Sequence, residues 1–239
     1  MTAAPITDLS APLDACPRSG FRRAVTTGAL GMLIATVGYA LAWIAGLSVL
    51  GSSTQVSANG IQVVRALAGH QFAAGLQYAL TEGVTALFLI TVLWGVTANA
   101  RPGRARRLMR LAALVATAVA LAECGLGLWL SIGLARPGEA GPAGTVNDVI
   151  TRLDGLKMLL LALVATAAAV AIGGRTLPLP RWLSPLAAAL AIAIAVSGVG
   201  YLALSDAAAS AAWVSLPLLI VFVTAAGLAT AGFAKRRAG

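Results

Sequence analysis

Long apolar stretches separated by short polar segments make up most of the chain after residue 23. About 20 consecutive apolar residues are enough for a helix to cross the hydrocarbon core of a bilayer. The pattern predicts six such helices, at residues 24–50, 77–98, 111–134, 156–173, 183–205 and 213–233. We therefore expect an all-α, polytopic membrane bundle, in which a cytoplasmic tail at 1–23 precedes a single six-helix transmembrane domain at 24–237.

The composition also indicates a chain that faces lipid. Of its 239 residues, 59% are hydrophobic and only 10% are charged, which excludes an ordinary soluble globular protein. The 26 glycines favour helices that pack through small residues over a β-barrel with alternating polar positions. The formal net charge of +9 would suggest a nucleic-acid partner in a soluble domain. Here it indicates basic loops at a membrane surface, so we expect membrane lipids, and no nucleic acid, as partners.

The basic residues fall mostly on one side of the predicted bundle. The polar segments on that side contain 13 of the 17 lysines and arginines: Arg18, Arg22, Arg23, Arg101, Arg104, Arg106, Arg107, Arg110, Arg175, Arg181, Lys235, Arg236 and Arg237. The other side holds only Arg65, Arg136, Arg152 and Lys157. Because cytoplasmic loops are enriched in lysine and arginine, this bias predicts that both termini are cytoplasmic and that loops 51–76, 135–155 and 206–212 are external. We expect a multi-pass protein of the plasma membrane.

The first external loop contains a helix signal of its own. Asn59 is a candidate N-cap, and Ile61, Val64 and Ala68 repeat at helical spacing. This piece either lies on the outer leaflet or continues through Gly75 as the start of the second transmembrane helix, and the sequence leaves both possibilities open.

The second external loop combines a turn signal with a charged helix start. Glycines and prolines between residues 137 and 144 predict an exposed turn, and Thr145 with Asp148 resembles a capping box that opens helix four. Asp148 and Arg152 are spaced for one helical ion pair, and Asp154 and Lys157 for another. The spacing favours a solvated or interfacial extension of helix four for these charges.

Two acids, Glu82 and Glu123, lie well within the predicted spans. An ionisable side chain inside a bilayer costs about 2.5 to 3.5 kcal/mol on insertion scales, which makes it a candidate functional residue. Both acids fall in the outer half, and Lys157 enters helix four from the same side together with Asp154 and Arg152. Two interpretations remain open: a water-accessible pocket in which a carboxyl carries a proton, or ion pairs that only fix how the helices pack.

Further candidates lie near these charges. His70 precedes the second predicted span and could cover the outer end of a pocket, although a solvated histidine is the more common case. Tyr78 lies in the same outer region. Most aromatic residues fall near span ends, which predicts an interfacial belt: Tyr39, Trp43, Tyr78, Trp94, Trp129, Tyr201 and Trp213. Of these, Tyr78, Trp129 and Tyr201 could instead line a site.

Missing features exclude several classes of activity. The chain has one histidine and two cysteines, Cys16 in the polar tail and Cys124 in an apolar run, so we expect no metal, no cofactor and no disulfide. It contains no phosphate-binding loop ending in Lys-Ser/Thr, no G-x-S-x-G, no HExxH and no Cys-x-x-Cys. ATPase, serine hydrolase, zinc protease and thiol oxidoreductase functions are therefore not expected.

From Thr151 to Arg237, the chain resembles uncharacterised actinobacterial six-helix integral membrane proteins. The resemblance rests on Arg152-Leu-Asp-Gly-Leu-Lys157, on Leu-Pro-Arg-Trp-Leu at 179–183, on the glycine-bearing fifth span and on the final Lys235-Arg236-Arg237. It implies a six-helix membrane fold and no particular activity.

Three functions are compatible with these observations. The first is a proton-linked permease or efflux component for a small lipophilic or cationic molecule, which the intramembrane acids favour slightly. The second is a membrane-embedded acid/base isomerase or cyclase acting on a lipophilic substrate. The third is an accessory or scaffold subunit, which would bind a membrane partner or a second copy of the chain through its small-residue helix faces.

Overall fold

The computed structural model describes residues 18–50, 55–136 and 138–238, and this part of the chain is helical without a strand. Cys16 and the predicted tail up to residue 17 lie outside the described residues. The helices are α1 Arg18–Val49, α2 Gly60–Leu67, α3 Gln71–Tyr78, α4 Thr85–Ala98, α5 Arg104–Trp129, α6 Ala140–Gly173, α7 Leu183–Leu202, α8 Asp206–Ala209 and α9 Ala212–Ala238. A π-helical segment, Ala79–Val84, joins α3 to α4, and a second, Leu130–Leu134, follows α5.

The six predicted transmembrane helices are confirmed by number and type. Six helical stretches in the described residues are long and apolar enough to cross a membrane: Gly28–Val49, Gln71–Ala98, Arg104–Leu134, Ala140–Gly173, Leu183–Leu202 and Asp206–Gly232. Several of them begin earlier than the apolar pattern indicates, because the helices continue through polar residues at their ends. The chain is therefore a multi-pass membrane protein.

Helix α6 forms the centre of the bundle. Its apolar window is 56% buried, whereas the windows of the other five spans are 33–44% buried. It packs between α5 and α7, while α1 packs against α4 and α9. Helices α6 and α7 touch through their backbones, since a Cβ added at Gly155 would lie 2.7 Å from the carbonyl oxygen of Gly198. Only glycine permits this approach.

Two groups of buried apolar residues, one at each end of the bundle, form the core. The large apolar block contains buried residues of α4 between 89 and 96, of α5 between 109 and 116 and of α6 between 161 and 172, among others. The small apolar block contains Val63 and Leu67 of α2, with buried residues between 130 and 135 and between 143 and 150. We call the end near the small block the cavity end. The opposite, basic end carries residues 99–103 and 174–182, which are joined by a hydrogen bond from the Arg101 amide to the Thr176 carbonyl, 2.8 Å.

Helix α2 is a separate element that packs against α6. Asn59 is its N-cap, as predicted: the side-chain oxygen accepts from the Gln62 amide at 3.0 Å, and Gln62 Oε1 accepts from the Asn59 amide at 2.8 Å. Of the two possibilities that the sequence leaves open, the continuous helix through Gly75 does not form, because α2 ends at Leu67 and Gly69 has a φ of +78°. The predicted helix is present, and its buried side chains are Val63 and Leu67, whereas Ile61 is 62% exposed.

Helix α6 begins at Ala140, so the predicted turn at Gly141–Gly144 and the predicted start at Thr145 are wrong. Pro142 is tolerated because the first helical turn needs no amide donor there. Gly144 lies against α2, since a Cβ added to it would be 3.0 Å from the Gly60 nitrogen. The glycines in this segment therefore serve a helix contact instead of a loop.

Candidate functional site

Four charged side chains from three helical stretches meet inside the bundle. The Lys157 ammonium on α6 donates to Glu82 Oε2 of the π-helical segment and to Glu123 Oε2 of α5 at 2.6 Å. It also forms an ion pair with Asp154 Oδ1, 2.8 Å away and one turn earlier on α6. One ammonium thus faces three carboxylates. We call these four residues the ion cluster.

The ion cluster is largely shielded from solvent. The side chain of Glu123 is 1% exposed, that of Lys157 10% and that of Glu82 13%, while Asp154 is 22% exposed. Lys157 lies in the middle of α6 rather than at its start, because that helix begins at Ala140. The expected solvated extension of helix four is therefore wrong for Lys157.

Glu82 is positioned by the π-helical segment Ala79–Val84. The wider turn of a π-helix changes the direction of the side chains that follow, and such turns are frequent at functional sites. Two hydroxyls bond to carbonyls of this stretch: Thr81 Oγ1 donates to the Gln77 carbonyl at 2.9 Å, and Thr85 Oγ1 to the Thr81 carbonyl. Helix α1 crosses the segment closely, because a Cβ at Gly46 would collide with the Thr81 side chain.

The ion cluster carries more negative than positive charge. Three carboxylates face one ammonium, which gives a formal charge of −2 when all four groups are ionised. Oxygens of Glu82, Glu123 and Asp154 lie within 4.8 Å of one another, close enough to share a cation, and the Lys157 ammonium bonds to all three residues. Glu123 Oε1 is buried and has no hydrogen-bond partner among the described residues.

A cavity of about 480 Å³ lies at the cavity end of the bundle, and all four members of the ion cluster line it. This volume is within the range of sites for small molecules. The walls combine apolar side chains with the aromatic rings of Trp43, Tyr78 and Tyr201. The ring of Tyr78 fits against the backbone of α5, since a Cβ at Gly127 would overlap it. A second cavity of about 30 Å³ lies beside Glu82 and Lys157 and is lined by Tyr39 and Trp43 as well.

The structure brings together most of the residues singled out from the sequence. Glu82, Glu123, Lys157 and Asp154 form the ion cluster, and Tyr78 and His70 line the cavity. Arg152 is exposed and does not line this cavity, and no ion pair joins it to Asp148 in the described part of the chain.

The predicted aromatic belt is only partly correct. Tyr39 is 1% exposed and belongs to the large apolar block, and Tyr201 lines the cavity. Trp129 and Trp213 are 53% and 83% exposed and could serve as interfacial anchors. Trp94 stacks under the Arg110 guanidinium, whose carbon lies 4.7 Å from the ring centroid.

Asp206 connects the first loop of the cavity end to the last one, a contact that no sequence pattern predicts. Its carboxylate accepts a hydrogen bond from the Val56 amide at 3.1 Å and another from the Ser57 hydroxyl. Val56 lines the cavity, so the Asp206 contact fixes part of the cavity wall.

No protein family model, no curated protein and no solved structure matches the chain.

Proposed function

We propose that the protein is a proton-linked permease or efflux component for a small lipophilic or cationic molecule. The observation that carries this proposal is the ion cluster at the wall of a cavity: three carboxylates share one ammonium in the interior of a membrane bundle. Glu82 and Glu123 are the proposed proton carriers.

The charge of the ion cluster supports proton exchange. An uncompensated buried charge costs several kcal/mol, so an excess of two negative charges favours the uptake of a proton or of another cation. Because both would neutralise the same carboxylates, the binding of one opposes the binding of the other, as coupled exchange requires. The shared ammonium adds to this effect, since any change at one carboxylate alters the hydrogen bonds of the other two.

The position of the cavity supports access from one side. It lies at the end of the bundle opposite the arginine-rich loops, and by the positive-inside rule that end would face away from the cytoplasm. The large apolar block lies between the ion cluster and the basic end, so a substrate that crosses the membrane requires a second arrangement of the helices.

The first test identifies the ligand by mass spectrometry of small molecules that co-purify from native membranes. It compares the wild type with a Glu82→Gln, Glu123→Gln double variant of equal folded yield, and with Glu139→Gln as the matched control, because Glu139 is exposed and outside the ion cluster. We expect a compound enriched with the wild type and the control and lost from the double variant. Identical extracts from all three proteins would contradict the proposal and favour an accessory subunit.

The second test measures uptake of that compound into proteoliposomes with an imposed pH gradient. Uptake should follow the gradient with the wild type and should vanish with the double variant. Uptake that ignores the gradient would refute proton linkage. Conversion of the compound by purified protein without a gradient would instead support the membrane-embedded enzyme.

A further inference from the structure

We infer that the cavity binds a lipophilic amine as its protonated monocation, with the ammonium group at the ion cluster and the apolar part against the apolar side chains of the cavity wall. This inference deepens the proposed function, on which it rests, by naming the class of substrate.

Lys157 leaves carboxylate oxygens free. Its ammonium contacts one oxygen of each carboxylate, donating hydrogen bonds to Glu82 and Glu123 and forming an ion pair with Asp154. Glu123 lines the cavity with a side chain that is only 1% exposed, and its second oxygen, Oε1, has no partner among the described residues. A buried acceptor without a donor is costly, so a ligand that brings N–H donors is favoured over one that brings acceptors.

The charge of the ion cluster also favours a cation. With all four groups ionised, a monocation would halve the formal charge of −2, whereas an anion would increase its magnitude. Close like charges in a site of low dielectric repel strongly, so the site disfavours carboxylates, phosphates and sulfates as ligands.

The position of Lys157 favours an organic ammonium over a metal ion. The Lys157 ammonium bonds to all three carboxylates, so a metal ion shared by them would have to displace it and tolerate its charge nearby. An ammonium group of the ligand needs only an oxygen that Lys157 does not use. Lys157 can therefore stay in place while the ligand binds.

The composition of the walls suits an amphiphilic cation. Three aromatic residues line the cavity together with the ion cluster, and aromatic faces attract cations. They are Trp43, Tyr78 and Tyr201. The remaining walls include Leu47, Leu50, Leu67, Ile150, Leu216 and Leu219, which offer apolar surface for a chain or a ring. A small hydrophilic cation would leave this surface wet, so the pairing of charge with apolar surface favours an amphiphilic amine.

The experiment measures binding of four probes with the same chain length to the full-length protein in nanodiscs of zwitterionic lipid, by isothermal titration. The probes are n-octylamine, n-octyltrimethylammonium, 1-octanol and octanoate, and empty nanodiscs correct for partition into lipid. We expect n-octylamine to bind at least tenfold more tightly than 1-octanol. The quaternary probe should bind more weakly than n-octylamine because it has the charge without the N–H donors, and octanoate should not bind.

The matched variants are the Glu82→Gln, Glu123→Gln double variant and the exposed Glu139→Gln control. The double variant should lose at least tenfold in affinity for n-octylamine while the control keeps the wild-type value. The inference is overturned if 1-octanol or octanoate binds as well as the amine, or if the double variant binds n-octylamine as tightly as the wild type.

The outcome for the amine and the outcome for the permease can be told apart, because binding is measured without a gradient. If n-octylamine binds through the carboxylates but gradient-driven uptake of every ligand fails, the amine site stands and proton-linked transport is refuted. If the co-purified ligand is taken up along the gradient but is not an amine and n-octylamine does not bind, transport stands and the amine inference is refuted.

Discussion

Replacing Lys157 by methionine tests whether its ammonium holds the three carboxylates together. Methionine has a similar length and no charge, so the substitution removes the shared donor while leaving the volume of the side chain nearly unchanged. Glu82, Glu123 and Asp154 would then be left without a counter-ion, with oxygens within 4.8 Å of one another.

The expected cost follows from the separation of the charges. Two unit charges 4.8 Å apart repel by about 3.5 kcal/mol at an effective dielectric constant of about 20, so all three carboxylates cannot remain ionised. Removing one partner of a buried ion pair typically costs about 3–5 kcal/mol of folding stability. For a chain of this size, that corresponds to a decrease of about 10 °C in Tm.

The Tm is followed by circular dichroism in a mild detergent at pH 7 and pH 5. The folded Lys157→Met variant should hold more protons than its unfolded state, because protonation relieves the repulsion, so its stability should decrease as the pH rises. The difference from the wild type should therefore be smaller at pH 5 than at pH 7. Adding Glu82→Gln and Glu123→Gln to Lys157→Met should restore most of the lost stability, since Asp154 is then the one carboxylate left in the cluster and has no like charge beside it to repel.

Two results would refute the reasoning. A Lys157→Met protein with the wild-type Tm at pH 7 would show that the ammonium does not hold the carboxylates. A loss that neither decreases at pH 5 nor recovers in the triple variant would show that lysine contributes through packing and not through charge.

Two further predictions concern contacts that surround the site. Gly155→Ala should lower the free energy of unfolding by about 1–3 kcal/mol, and with it the Tm, because the new Cβ would press on the α7 backbone. Gly125→Ala is the control and should leave the Tm unchanged, since no heavy atom lies within 4 Å of its Cβ. Equal Tm values for the two variants would contradict the close contact between α6 and α7. Asp206→Ala removes the acceptor of the Val56 amide, so hydrogen exchange of that amide should become about tenfold faster. This factor corresponds to the loss of about one net hydrogen bond. The control Asp148→Ala should leave the exchange rate of the Val56 amide unchanged. Unchanged exchange in Asp206→Ala would show that the loop is held by other contacts.

The number of helices and two members of the ion cluster, Glu82 and Glu123, could be predicted from the sequence for one physical reason. Inside a bilayer, apolar length and the high cost of charge dominate, so long apolar stretches mark helices and Glu82 and Glu123 stand out against them. Lys157 was harder to place, because the polar segment before it hides the fact that α6 begins at Ala140.

The contacts that sequence patterns miss are those set by tertiary packing. Gly144 looks like part of a turn, yet it lies in α6, where the backbone of Gly60 packs against it. The π-helical turn that carries Glu82 has no sequence signal of its own, and Asp206 is a single exposed acid whose partners lie about 150 residues away. The aromatic belt prediction failed at Tyr39 for the same reason, since burial there depends on the neighbouring helices.

The two apolar blocks divide the bundle into a large, well-packed part and a smaller part at the cavity end. On α5 and on α6, the polar residues Glu123, Asp154 and Lys157 fall between the segments that belong to the two blocks. Parts of a protein with few buried apolar contacts are the first to open. The small block can therefore lose its packing while the large block stays intact. The charged residues thus mark a boundary between the two blocks, along which the cavity end can change shape without unfolding the large block.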